Sequence, residues 1–175
     1  RDMRMIAIEP LTRAAFHQYG EVVDIDGATP LTINQGFAQR VDGRARIDVT
    51  AEGGSVNVAL FQAQTRPRPI AIVMMERHPL GSQMFYPLQD TPWLALVCGD
   101  PRDAGSYRAF RATGRQGVNY RRNVWHHPLL VLESGERFIV VDRAGPGNNL
   151  EEAWLEPAQQ LALAERAAAV PAHQQ

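Results

Sequence analysis

An all-β chain, folded as an antiparallel sandwich or barrel, is the class this sequence predicts. Short apolar runs recur along it at spacings of roughly 8 to 12 residues, the pattern of strands joined by turns. Glycine, proline, asparagine and aspartate separate these runs, and each favours a turn for its own stereochemical reason. Helical composition is confined to two places near the ends.

The run MIAIEP reads as a first strand, and LTRAAFHQYG as a short N-terminal helix with Thr12 as its N-cap and Gly20 just past its end. β-like runs then succeed one another: EVVDID before GATP, VNVALFQAQ after EGGS, PIAIVMMERH before PLGS, then QMFYPL and WLALVCG. YRAFRA precedes TGRQG, VWHHPLLVL precedes ESGE, and RFIVVDR precedes AGPGNN. The stretch EPAQQLALAERAAAV is rich in good helix formers, with Pro157 at a first helical position and Pro171 after its close, and predicts a C-terminal helix. The 175 residues fit a single domain, 1–175, with 1–4 and 171–175 expected to be poorly ordered.

Hydrophobic residues make up 45% and charged residues 21% of the chain, so a packed core is expected rather than disorder. A formal charge of -1 leaves no basic excess to grip a phosphate backbone, which argues against nucleic acid. No apolar stretch reaches the ~18 residues of a membrane span, and RDMRMIAIEP lacks the apolar core of a signal peptide. A cytoplasmic location without a membrane partner is the expectation. Cys98, the single cysteine, lies inside PWLALVCGD and reads as a buried structural thiol. The phosphate-binding, dinucleotide, serine-hydrolase and HExxH zinc motifs are missing, so no organic cofactor is expected.

Two segments hold groups that can do chemistry. In MMERHPLGSQMF, strand parity puts Glu76 and His78 on one face and Met75 and Arg77 on the other. A carboxylate and an imidazole two apart can ligate a metal or act as an acid/base pair, although spacing alone favours a solvated Glu76 and a turn histidine. Pro79, Leu80 and Gly81 read as a turn that returns Gln83 to the same mouth. In GVNYRRNVWHHPLL, parity gathers Tyr120, Arg122, Val124 and His126 on one face, unless a kink at Asn123 breaks the count. His127 precedes proline, is held to extended geometry, and suits a structural or interface role. Asn34 and Gln35 in INQG, Arg40, and Asn148 and Asn149 in GPGNN are further polar candidates, and the ordinary use of such asparagines is turn chemistry.

The strings ERHPLGSQMF at 76–85 and GVNYRRNVWHHPL at 117–129, with IEPLTRAAFHQYGEVV, RAF at 108–110 and VVDR at 140–143, resemble ureidoglycolate lyases from about Met5 to about Ala164. The resemblance implies a cupin-like antiparallel β-barrel, commonly a homodimer, that cleaves (S)-ureidoglycolate to glyoxylate and urea in allantoin breakdown. Mapped onto the cupin motifs, Glu76 and His78 stand at the first ligand pair, Gln83 near the carboxylate position, and His126 three residues after Asn123. His126 rather than His127 is thereby the inward candidate. The chain departs from the general pattern at Glu76, Gln83 and Asn123, which stand for a histidine, a carboxylate and a glycine, and Arg121 stands where some members have histidine. A divalent metal, nickel by resemblance, has Glu76, His78 and His126 as its candidate ligands.

Breaking this hemiaminal needs a base at the hydroxyl, an acid at the ureido nitrogen and a cation for the carboxylate. Glu76 or His126 is the candidate base and His78 the acid. Arg122 is the candidate carboxylate clamp by parity, with Gln83, Asn34 and Tyr120 as further substrate-binding residues. Two other readings use the same groups: another small cupin, such as an isomerase or dioxygenase acting on a polar acid, and a ligand-binding cupin sensor without turnover.

Overall fold

The structure, a computed structural model, describes residues 3–164. In chain order it holds β1 (Arg4–Pro10), α1 (Arg13–Phe16), β2 (Gly20–Val23), β3 (Leu31–Ile33), β4 (Ala38–Arg40) and β5 (Ser55–Ala63). There follow β6 (Ala71–Ile72), β7 (Met74–Arg77), β8 (Gln83–Pro87), β9 (Trp93–Cys98), β10 (Tyr107–Ala112) and β11 (Gly117–Tyr120). The last are β12 (Trp125–His126), β13 (Leu130–Val131), β14 (Glu136–Ala144), β15 (Glu151–Trp154) and β16 (Leu161–Ala164).

Mostly β structure is what the alternating runs predict. One large sheet runs β15-β7-β12-β9-β10-β1-β16-β6, with β13 also on β9, and a second runs β2-β11-β8-β14-β5. β3 and β4 pair only with each other. The pairing is antiparallel except at β1, which lies parallel to both β10 and β16.

The core explains the pattern of β9, whose sequence WLALVC is a continuous apolar run with all six residues buried. Such a run belongs to a strand covered on both faces. Trp93, Ala95 and Val97 pack toward the second sheet with Phe85, Val118, Phe138 and Val140. Leu94, Leu96 and Cys98 pack the other way, with Ile6, Ile72, Met75, Leu161 and Leu163. Cys98 is thus the structural thiol its setting predicts, and burial pushes it up to about 12.

The N-terminal helix is a single turn, with the Thr12 hydroxyl accepting from the Ala15 N–H at 3.2 Å. The expected C-terminal helix is corrected over 157–164. Pro157–Gln159 makes one 3-10 turn, closed where the Gln159 side-chain oxygen accepts from the Glu156 N–H at 3.1 Å. The next residues form β16, parallel to β1 and antiparallel to β6. Helix propensity separates ordinary residues by at most ~0.7 kcal/mol each. Burying Leu161 and Leu163 while filling the hydrogen bonds of two neighbouring strands outweighs it. The remainder of that predicted helix, and residues 171–175, lie outside the described residues. Met3 and Arg4 lie within them, and Arg4 opens β1. No helix among the described residues is long and apolar enough to cross a membrane.

If β16 is part of the core, Leu163→Ala should cost about 2–5 kcal/mol in urea unfolding. A loss under about 0.5 kcal/mol would mean that this strand does not pack as described.

Candidate functional site

The site forms where one end of the large sheet meets the second sheet. Glu76 lies directly across from His126 in the β7–β12 pairing, and His126 directly across from Val97 on β9. Residues opposite each other on neighbouring strands share a face, so the two distant segments deliver their groups to the same side. His78 follows β7 at the parity of Glu76, and its ring centroid is 5.1 Å from that of His126. Glu76, His78 and His126 each offer one ligand atom, all within 4.8 Å of one another. From the second sheet come Gln83, which opens β8, and Tyr120, which ends β11 and stacks on the His126 ring at 4.3 Å and 9°.

Local chain chemistry produces this convergence. Gly81 lets the turn after His78 pass the Arg143 side chain, because a Cβ there would come within 2.9 Å of the Arg143 Cβ. Asn123 takes the left-handed conformation, φ 70°, which asparagine tolerates better than most residues, and its N–H donates to the His78 carbonyl at 2.9 Å. The turn over 121–123 breaks the strand parity. Tyr120 and His126 both point inward, while Arg122 is exposed and its Nε donates to the Pro79 carbonyl.

The polar contacts place a proton on Nδ1 of each ring. Nδ1–H of His78 donates to the Asn149 carbonyl at 2.8 Å, and Nδ1–H of His126 donates to the Val124 carbonyl at 3.0 Å. A neutral ring with its proton on Nδ1 has a bare Nε2. Both Nε2 atoms face the Gln83 side-chain oxygen, at 2.9 and 3.1 Å. Glu76 Oε1 lies 3.8 Å from His126 Nε2. Burial, then the neighbouring His78, drives the His126 pKa down to about 3, so this contact is not an ion pair at neutral pH. Burial raises the Glu76 pKa; His78 pulls it back and Glu152, its other cross-strand neighbour, adds to it.

With both rings neutral, four electron-pair donors converge without a hydrogen between them, His126 and Gln83 buried and Glu76 and His78 half-buried, and acceptors facing one another are unfavourable unless a cation sits among them. The two separations to Gln83, 2.9 and 3.1 Å, match the edge, about 3 Å, of right-angled coordination at ~2.1 Å, and Glu76, 3.8 Å from His126 Nε2, stands wider than that edge. The residues fit a divalent metal ion, with Gln83 as a fourth donor beside Glu76, His78 and His126.

A cavity of about 390 Å³ opens onto Glu76, lined also by Phe61, Gln62, Gln64, Arg66, Phe85 and Leu129. Arg122 is not at this cavity; with Arg46, Arg121 and Ser82 it lines a separate pocket. Asn34 sits in the exposed turn between β3 and β4, where its carbonyl accepts from the Phe37 N–H, and is not brought to the site. Arg77 turns away, as parity predicts, pairing with Glu151 at 2.7 Å and lying over the Trp125 ring. His127 is buried and donates Nδ1–H to the Pro128 carbonyl.

Sequence reasoning missed Arg66 and Asp142, while Asn149, read there as a turn residue, holds His78 through its carbonyl. Asp142 accepts from Gln83 Nε2 at 3.2 Å, and its signal was present: in RFIVVDR it shares the parity of the buried Phe138 and Val140. Arg66 lies in an irregular loop, where no periodicity marks it.

The family model described as Ureidoglycolate lyase matches residues 3–162. "Ureidoglycolate lyase 1" of Rhizobium meliloti (strain 1021) is 54% identical over 149 residues, 85% of this chain and 88% of that one. "Ureidoglycolate lyase" of Burkholderia mallei (strain NCTC 10229) is 51% identical over 152 residues, 86% of this chain and 89% of the relative. The protein of that name from Pseudomonas putida (strain GB-1) is 44% identical over 163 residues, covering 92% and 98%. Among solved structures, a Bacillus subtilis oxalate decarboxylase aligns with 57% of this chain and 24% of its own, at 15% identity and a TM-score of 0.36, a likeness too loose to argue from. The match to the family model and the identity to these relatives over most of both chains settle one point: the chain belongs to the ureidoglycolate lyase family.

Proposed function

We propose that this chain cleaves (S)-ureidoglycolate to glyoxylate and urea, a step of allantoin and purine breakdown, at the site around Glu76. The observation that carries the site reading is that Glu76 belongs both to the ligand cluster and to the cavity wall. A small molecule filling the cavity meets the cluster through that carboxylate.

The reaction moves one proton from the substrate hydroxyl to the ureido nitrogen while the C–N bond breaks and the C=O bond forms. One carboxylate can take that proton and deliver it, and a pKa raised by burial brings Glu76 closer to the neutral range where both transfers are favourable. Among the described residues neither imidazole lines the cavity. His78 and His126 serve as ligands and Tyr120 holds the His126 ring. A divalent ion held by Glu76, His78, His126 and Gln83 would polarise the substrate oxygens and favour loss of the hydroxyl proton. Two imidazoles and two oxygens suit several first-row ions, nickel among them. Arg66 takes the place first given to Arg122 as the cation for the substrate carboxylate, because it lines the cavity and its charge is felt at Glu76. Gln62 and Gln64 offer amides to the ureido group.

The two facing sheets form, in this reading, one cupin-type domain spanning the chain. A second copy is its natural partner. β5 is an edge strand on which Val56, Val58 and Leu60 are 58%, 66% and 74% exposed. Their side of the sheet continues through Ile139 and Val141 to Tyr86 and Met84 in register. An apolar row of this kind marks an interaction face. The single buried thiol, with no disulfide to lose, suits the cytoplasm.

Purified protein given ureidoglycolate should release urea and glyoxylate in equal amounts, and Glu76→Gln should lower kcat by ~100-fold or more. Release of neither product by the unaltered protein would refute the activity; full turnover by the variant would remove Glu76 from the proton path. Arg66→Ala should raise KM about tenfold or more, whereas Arg122→Ala should leave it unchanged. The opposite pattern would return the clamp to Arg122. Light scattering should give a dimer mass that falls to the monomer mass in Leu60→Arg; a monomeric parent protein would refute the dimer.

A further inference from the structure

We propose that Asp142 is the positioning residue that turns the Gln83 amide so that its oxygen, not its nitrogen, faces the two imidazoles. Asp142 thereby makes the cluster a site for a cation. The inference rests on the reading of Glu76, His78, His126 and Gln83 as metal ligands.

Three strands of the second sheet set up the arrangement. Asn57 on β5 stands directly opposite Asp142 on β14, and Gln83 on β8 lies one step beyond the Val141–Met84 pair. The three polar side chains thus form a row across the inner face, beside Phe138, Val140 and Phe85. Asn57 Nδ2 donates to Asp142 Oδ1 at 3.0 Å, and Gln83 Nε2 donates to Asp142 Oδ2 at 3.2 Å. An ionised carboxylate can only accept. If the Gln83 amide were reversed, its oxygen would face the Asp142 carboxylate and both groups would lose their bond.

Reversal would otherwise be favoured. An NH2 group turned toward the histidines would donate one N–H to each bare Nε2, satisfying both rings while presenting hydrogens instead of lone pairs to an incoming cation. Two arrangements of one amide therefore compete, one closed to cations and one open to them. The Asp142 carboxylate decides between them, and Asn57, bound to its other oxygen, fixes how that carboxylate is turned. Partners behind a ligand commonly set its orientation and carry tenfold effects on affinity.

The test measures binding of Ni²⁺, and separately of Mn²⁺, by competition with a chromophoric chelator. In Asp142→Asn, Asn57 still donates to the residue 142 side-chain oxygen, so its new NH2 faces Gln83 and reverses that amide. Affinity should fall ~10–100-fold. Adding Gln83→Glu should recover it, because a carboxylate at 83 accepts from the amide at 142 with one oxygen and offers the other to the ion. Circular dichroism and the thermal midpoint establish that the variants are folded. Affinity within about twofold of the parent in Asp142→Asn, or a double variant as weak as the single one, would overturn the proposal. A second measurement needs no variant. In ion-free parent protein the Gln83 amide protons should show no through-bond coupling to either imidazole Nε2, and a coupling to either ring would overturn it too. A parent chain that takes up neither ion overturns this inference and the metal reading together, while urea release from the same samples decides the lyase reading separately.

Discussion

Two imidazoles aim bare nitrogens at one amide oxygen, and the rest of the site is arranged around that contact. The Asn149 and Val124 carbonyls keep the protons of His78 and His126 on the far side of each ring. Stacking on Tyr120 and burial hold His126 in place and neutral. Asp142 Oδ2 accepts one hydrogen bond from the Gln83 amide nitrogen. Each of these interactions is ordinary. Together, with both rings neutral, they leave a set of lone pairs with nothing to donate to them, a costly state in a cluster that is half-buried at Glu76 and His78 and buried at His126 and Gln83, unless a positive charge offsets it.

The fold serves this contact by joining two sheets at one point. Glu76 and His126 are placed by the register of β7 against β12, and a slip of one residue would send either side chain to the opposite face. Gln83, Asp142 and Asn57 depend in the same way on the register of β8, β14 and β5. The well-packed core around Phe85, Trp93 and Phe138 locks both registers beneath the polar layer. Rigidity there and an open cavity at Glu76 are compatible because the cavity wall is supplied by the edge strand β5 and the loop that carries Arg66.

Much of this was legible in the residues. Alternation in RFIVVDR and the apolar continuity of WLALVC gave strands whose partners follow from burial. Parity gave Glu76, His78 and the outward Arg77. What failed did so for local reasons. Helix propensity in LALA yielded to strand pairing against β1, and the left-handed Asn123 reversed the count at Arg122 while leaving Tyr120 and His126 together. Asn34 was a turn residue on a hairpin. Arg66 left no pattern, since a loop cation acquires meaning only when the chain closes beside Glu76. Asp142 did leave one: a charge at an inward position of an apolar strand asks for a buried partner.

The central claim is that these lone pairs meet on a metal ion. X-ray absorption at the nickel edge of the ion-loaded protein tests it most directly. The account predicts two imidazole nitrogens together with oxygen donors around the ion, and a spectrum free of imidazole scattering would contradict it.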